Sequence, residues 1–169
     1  MFKHAIAVAS LMAAVLSSGQ AAAATATADF QVKLTITAAC SVVAGTASDI
    51  NLGSHASTES NIANSNNIKV TCTKNTPYTI GLAPSNGNAT GAGVMTRTTT
   101  PTDTVAYQLY SDSNHATVWG NNAAVGVVAN GVGDTGTGAE KSHMVYAVVP
   151  SANSSAGNYV DTVTVTVNY

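Results

Sequence analysis

The chain has 169 residues, 45% of them hydrophobic, and only 8% are Asp, Glu, Lys or Arg, against ~25% in ordinary globular proteins. A formal net charge of −2 excludes the basic balance that nucleic acid or an anionic membrane surface would require. The length suits one domain with a real core.

Met1–Ala24 reads as a secretory signal peptide: Lys3 and His4 form a basic n-region, Ala5–Leu16 an apolar stretch, and Ser17–Ala24 a small-residue cleavage zone. The apolar stretch is shorter than the ~20 residues of a membrane-spanning helix. Loss of Lys3 leaves five basic and eight acidic residues, a net charge of −3. The remaining surface, rich in Thr, Ser, Asn, Gly and Ala, repels its neighbours weakly and suits a subunit meant to pack.

Thr25–Val43 follows. Ala26, Ala28, Phe30, Val32, Leu34, Ile36, Ala38, Cys40 and Val42 alternate with residues that, from Thr25 to Ser41, are polar apart from Ala39. That is the period of a strand with one buried face. Sandwich strands usually hold about 3–10 residues, whereas this run, at ~3.3 Å per residue, would span roughly 55 Å. Such a strand must break, bulge or enter another module.

Gly45–Ser65 is turn-rich and polar, with a short apolar piece at Ile50–Leu52. Asn67–Thr73 alternates with Ile68, Val70 and Cys72 on one face, and Pro77–Leu82 with Tyr78, Ile80 and Leu82. The hairpin-length Lys74–Thr76 between them predicts that these two strands pair. Asn86–Gly93 reads as a loop, Val94–Thr98 as an edge strand, Thr104–Ser111 as a strand, and Thr117–Gly120 as a short piece carrying Trp119. Asn121–Ala139 predicts a long flexible connection. Ser142–Val149 and Asn158–Tyr169 are strands, the second with Val163, Val165, Val167 and Tyr169 on one face. With no amphipathic helix after the leader, eight or so short strands predict an all-β sandwich.

Cys40 and Cys72 are the only cysteines, and in an exported protein a lone pair predicts one disulfide. No CxxC exists, and His55, His115 and His143 read as scattered surface or loop residues, so neither a metal nor another cofactor is expected. Gly131–Gly136 matches GxGxxG literally, but no helix follows, and a flexible loop is expected there. No nucleophile elbow, HExxH, P-loop or carboxylate pair supports an enzyme. Tyr107, Tyr110 and Trp119 offer a sugar-stacking platform as one reading and core filling as the favoured one.

The order of these pieces resembles the spore coat protein U domain, found in subunits of archaic chaperone–usher pili. The carriers are Phe30–Leu34 through Cys40, Ile68–Cys72, Pro77-Tyr78, Tyr107–Tyr110, Trp119-Gly120 and Ala156–Val163 running on to Tyr169. The resemblance implies an incomplete immunoglobulin-like β-sandwich completed by donor-strand complementation, itself a form of β-augmentation. It divides the chain into a signal peptide (1–24), a donor segment (25–37) presenting Phe30, Val32, Leu34 and Ile36, and a pilin domain (38–169). Val163, Val165, Val167 and Tyr169 would face the acceptor groove or chaperone. Implied partners are other pilin subunits, a periplasmic chaperone and an outer-membrane usher, with export through the periplasm to a surface pilus serving adhesion and biofilm formation. A single sandwich leaves no room for a receptor-binding domain, so a shaft or adaptor subunit is expected. The alternative is a monomeric secreted carbohydrate-binding or coat protein, closed by a strand of its own.

Overall fold

In a computed structural model, residues 24–169 are described, so the expected leader lies, Ala24 excepted, outside the described residues. Nine strands follow in chain order: β1 (Cys40–Val43), β2 (Ser60–Cys72), β3 (Pro77–Pro84), β4 (Ala92–Arg97), β5 (Thr104–Tyr110), β6 (Val132–Thr135), β7 (Glu140–Ser151), β8 (Tyr159–Val160) and β9 (Val163–Asn168). A six-stranded sheet in the order β1-β2-β7-β5-β4-β8 faces a three-stranded sheet, β6-β3-β9. Every ladder is antiparallel, and the one helical piece among the described residues is a 3-10 turn at Thr46–Ser48. The fold is the expected all-β sandwich.

The core follows from strand alternation. Ile68, Val70 and Cys72 of β2, Tyr107 and Leu109 of β5, and Val145, Ala147 and Val149 of β7 are buried and meet Tyr78, Ile80 and Leu82 of β3. In β3, Thr79 and Gly81 are buried too, because this central strand is covered on both faces; the Thr79 hydroxyl donates to Ala124 O at 2.8 Å. Trp119 joins the sheets. Its indole N–H donates to Ile80 O at 3.0 Å, and its backbone N–H to Leu109 O at 2.9 Å. Cys40 and Cys72 face each other in the β1–β2 register and form the expected disulfide, with Cα atoms 4.1 Å apart.

Several expectations are corrected. β2 and β3 do not pair: the turn between them, with Asn75 at φ 62°, carries the chain from one sheet to the other. Both strands have a buried face, and placing those faces against each other across the core covers both at once. β2 starts at Ser60, well before the expected Asn67, because β7 supplies a ladder partner through its polar half. The supposed flexible connection and glycine-rich loop contain β6, which pairs with β3; Gly133 is needed there, since a Cβ would lie 2.7 Å from Val128 Cγ2. Asn158–Tyr169 is two strands. β8 joins β4 in the large sheet and β9 joins β3 in the small one, the crossing falling at Asp161-Thr162.

His143 is not a surface residue. Its side chain is 9% exposed, and Nε2 lies 3.0 Å from the Tyr78 hydroxyl across the two sheets. Asp134 accepts from Lys141 Nζ at 2.5 Å. Burial lowers the His143 pKa, the Asp134 charge opposing and Lys141 reinforcing it. Burial would raise the Asp134 pKa, yet the Lys141 hydrogen bond, the Thr135 amide and the nearby positive charges hold it below the usual range. Burial, then the charge and hydrogen bond of Asp134, push the Tyr78 phenol up to about 12. For His143 the unfolded state binds a proton first, so stability falls as pH drops through ~6.5. Asp134 adds a further loss as pH falls through its depressed pKa. Because the raised His55 pKa acts in the opposite direction over part of this range, the measure is a difference: the urea midpoint of the wild type relative to that of His143→Gln is expected to decline as pH falls from ~7 to ~5. A pH-independent difference between the two proteins over that range contradicts the assignment.

The chain divides into a unit ending at Thr35 and a unit spanning Ile36–Tyr169. In the first, residues 24–35 form no regular secondary structure and every residue is exposed. The alternating run is therefore a strand only from Cys40, where β2 offers a ladder; alternation alone supplies no hydrogen-bond partner.

Candidate strand-acceptor groove

β9 ends the small sheet, and among the described residues its one ladder neighbour is β3. Backbone groups on its other edge stand unpaired, which makes such an edge a template for another strand. β1 approaches β9 without pairing with it, and beside Val163 and Val165 the sandwich is open. A cavity of ≈610 Å³ runs along β9 between the sheets, bordered by Val163 and Val165 and floored by Ile68, Leu82, Leu109, Val145 and Ala147. A second cavity of ≈600 Å³, floored by Ile62, Val105 and Val149, continues from it towards the Ser154–Tyr159 turn. Core side chains thus form the floor of a groove rather than a sealed interior.

The β8–β9 corner is fixed by Asp161. It accepts from the Tyr107 hydroxyl at 2.6 Å, from the Thr162 N–H at 2.8 Å and from the Ser85 hydroxyl. Burial, then the hydrogen bond and charge of Asp161, push the Tyr107 phenol far up, so it remains a donor. Gly93 of β4 leaves space for that ring, where any Cβ would collide with it.

The opposite wall is not a strand. Ala44–Leu52 lines the first cavity and Ile50–Ser57 the second, with no ladder to either sheet. It is held by side chains. Asn64 and Asn66 of β2 sit opposite the buried Ala147 and Val145, hence on the core-facing side of the strand. Asn64 Nδ2 donates to Asn51 O at 2.5 Å, and Asn66 Nδ2 to Ala47 O at 3.1 Å and Asp49 O at 2.8 Å. Their Oδ1 atoms accept the N–H groups of Ser65 and Asn67, each at 2.8 Å. Those amides are therefore already satisfied, and this part of β2 is a poor template for another strand.

His55 completes the attachment, with Nδ1 2.8 Å from Glu59 Oε2 and Nε2 2.7 Å from Leu52 O. Both ring nitrogens face acceptors, an arrangement only the imidazolium satisfies fully. The Glu59 hydrogen bond, then that to Leu52 O, raises the His55 pKa, while the His55 and Ala56 bonds lower that of Glu59. The clasp is complete between the two: it is lost as pH rises through the raised His55 pKa, or falls through the depressed Glu59 pKa.

Of the residues singled out in the sequence, Val163, Val165 and Val167 are half-buried and pack against the core. The first two line the groove, whereas Tyr169, past the end of β9, is 50% exposed. Phe30, Val32, Leu34 and Ile36 are 87%, 87%, 83% and 75% exposed. Tyr107 and Trp119 are core residues; Tyr110 instead lies on the outer side of its sheet, its ring centroid 5.4 Å from that of His115. Sequence reasoning missed Asn64, Asn66, His55 and Asp161. The only available signal was that Asn64 and Asn66 interrupt the apolar series running from Ile62 to Cys72. Among the described residues no group of three or more His, Cys, Asp or Glu is placed to hold a metal.

No curated protein matches the chain. A solved complex of a chaperone and tip adhesion subunit, CsuC–CsuE from archaic chaperone–usher Csu pili of Acinetobacter baumannii, is similar at 23% identity and TM-score 0.48, over 80% of this chain and 40% of that one. A chaperone–tip adhesin complex of CFA/I fimbriae biogenesis is similar at 11% identity and TM-score 0.47, over 71% of this chain and 38% of that one. The chain thus spans about two-fifths of the length of each. Residues 26–166, nearly the whole of the described chain, match the Spore Coat Protein U domain, and the protein belongs to that family.

Proposed function

We propose that the protein is a structural subunit of an archaic chaperone–usher pilus, and that it polymerises by inserting Thr25–Thr37 of one copy into the β9 groove of the next. The observation that carries this reading is a complementary pair on one chain. An exposed tail offers Phe30, Val32, Leu34 and Ile36 at strand spacing, and an apolar groove lies beside an unpaired strand edge. Burying the four side chains contributes about 6–12 kcal/mol, and pairing with β9 satisfies backbone groups on both strands.

A periplasmic chaperone would cover the same groove before assembly, and an outer-membrane usher would direct the exchange. The protein then travels through the periplasm to a surface fibre that serves adhesion and biofilm formation. Val163 and Val165 face the incoming strand in this reading, and the chain's boundaries are leader 1–24, donor 25–37 and pilin domain 38–169. The test is the size of the exported protein isolated from cells without boiling. SDS-resistant ladders that collapse to one band on boiling are expected. A uniform monomer that retains glycan affinity overturns the proposal in favour of a carbohydrate-binding or coat protein.

A further inference from the structure

The two cavities meet at a waist. Ile50, Asn51 and Leu52 line both, as do Met95 and Tyr159. β9 holds six residues, about 20 Å at ~3.3 Å each, whereas Thr25–Thr37 extended would reach roughly 40 Å. A strand of that length laid along β9 overruns it, and on leaving β9 at its Val163 end it passes the waist into the second cavity. Ile50 and Leu52, packed against the core, stand in its way.

The segment that carries them is built to move. Gly45 at φ 100° and Gly53 at φ 91° bracket it, conformations that other residues rarely adopt. A Cβ on Gly45 would meet nothing within 4 Å, and one on Gly53 would meet only His55 Nε2 at 3.6 Å. Packing therefore does not dictate either bend. Between them the attachment consists of the Asn64 and Asn66 amides and the His55 ring, whose facing charged group is Glu59. A wall held by a strand ladder would have to lose backbone pairing to move; this one has to release side-chain hydrogen bonds, each contributing little, and to lift Ile50 and Leu52 off the core, apolar ground that an incoming strand covers again.

We propose that Thr46–Leu52 is a flap that covers the waist of the empty groove, is displaced by the incoming strand, and is held shut by Asn64, Asn66 and His55. The inference rests on the donor-strand reading for the identity of the occupant, but not for the existence of the flap. Ile50 and Leu52 occupy, in the free chain, apolar ground that the donor's side chains take over. Asn64 and Asn66 are accordingly positioning residues, which explains polar side chains on the core-facing side of β2.

The test uses the exported chain carrying Leu34→Asp, whose own tail is disabled and whose groove is unaltered. Without any ligand, adding Asn64→Ala and Asn66→Ala should raise the fluorescence of a hydrophobic dye several-fold, as the released flap uncovers the waist. A labelled peptide of sequence Thr25–Thr37 should then enter about tenfold faster, the factor given by ~1.4 kcal/mol of lost holding energy. His55→Ala, which removes one bond to the flap at Leu52 O, should act in the same direction by about two- to threefold, and decides the matter if the double variant fails to fold. Unchanged dye fluorescence overturns the flap. Equal peptide entry into all variants also overturns it while leaving the donor-strand reading intact. A rise in dye fluorescence with peptide refused by every variant supports the flap and removes the donor-strand reading.

Discussion

Leu34→Asp is expected to abolish SDS-resistant polymer, and Thr35→Asp, one residue along, to leave it. Strand side chains alternate strictly, so Leu34 shares a face with Phe30, Val32 and Ile36 while Thr35 lies on the other. In the proposed joint the Leu34 carboxylate would enter a groove floored by Leu82, Leu109 and Val145. An unpaired charge there costs several kcal/mol or must be neutralised by protonation. At 1.4 kcal/mol per decade, the affinity of the joint drops by about two orders of magnitude or more. The Leu34 variant should still fold and be held by the proposed chaperone, because Leu34 is 83% exposed in the free chain. Expression of both variants with the assembly machinery, followed by comparison of surface fibres and unboiled ladders, decides the point. Equal polymer yields refute the donor role. Loss of the soluble chaperone complex in the Leu34 variant alone would instead assign Leu34 to the subunit's own core and move the donor boundary towards the N-terminus.

Replacing both cysteines, Cys40→Ser with Cys72→Ser, is expected to destabilise the domain by ~3–4 kcal/mol, from the loss of a cross-link spanning 32 residues. β1 contributes little else. Its four residues pair only with β2, and three of them are exposed. The ties at its root all run to Thr73: its N–H donates to Ala39 O at 2.9 Å, its hydroxyl reaches Thr37 O at 3.2 Å and Ala39 O at 3.3 Å, and that hydroxyl accepts from the Ala39 N–H at 3.1 Å. The double variant should therefore release β1 first, seen as rapid amide exchange at Ser41–Val43, and shift the denaturation midpoint by the stated energy. A shift under ~1 kcal/mol would mean that native-state compensation outweighs the cross-link.

The sequence revealed what period-two patterning can encode. Tyr78, Ile80 and Leu82 are buried as their alternation implies, and the two cysteines meet. Patterning could not say which sheet a strand joins. A three-residue link such as Lys74–Thr76 serves a hairpin and an arch between sheets equally well, and only the competition for core contact selects the arch. β6 was hidden by its glycines, which carry no hydrophobic signal but allow close approach to Val128. In β2 the asparagines concealed half a strand, because their side chains face the core yet bond to backbone carbonyls. Of the groove, Val163 and Val165 were legible, while the opposing wall was not. A segment held by side-chain hydrogen bonds has neither period nor motif.

The only tryptophan of the chain has an optical consequence. Trp119 is 1% exposed, its indole N–H is bonded to Ile80 O, and it is not among the residues lining either cavity. Its emission is thus set by the sealed side of the sandwich. A strand entering the groove should leave the wavelength unchanged, whereas separation of the two sheets should shift it to the red. One intrinsic chromophore therefore follows unfolding without responding to occupancy, so a titration with donor peptide and a denaturation can be read in the same cuvette without either signal contaminating the other.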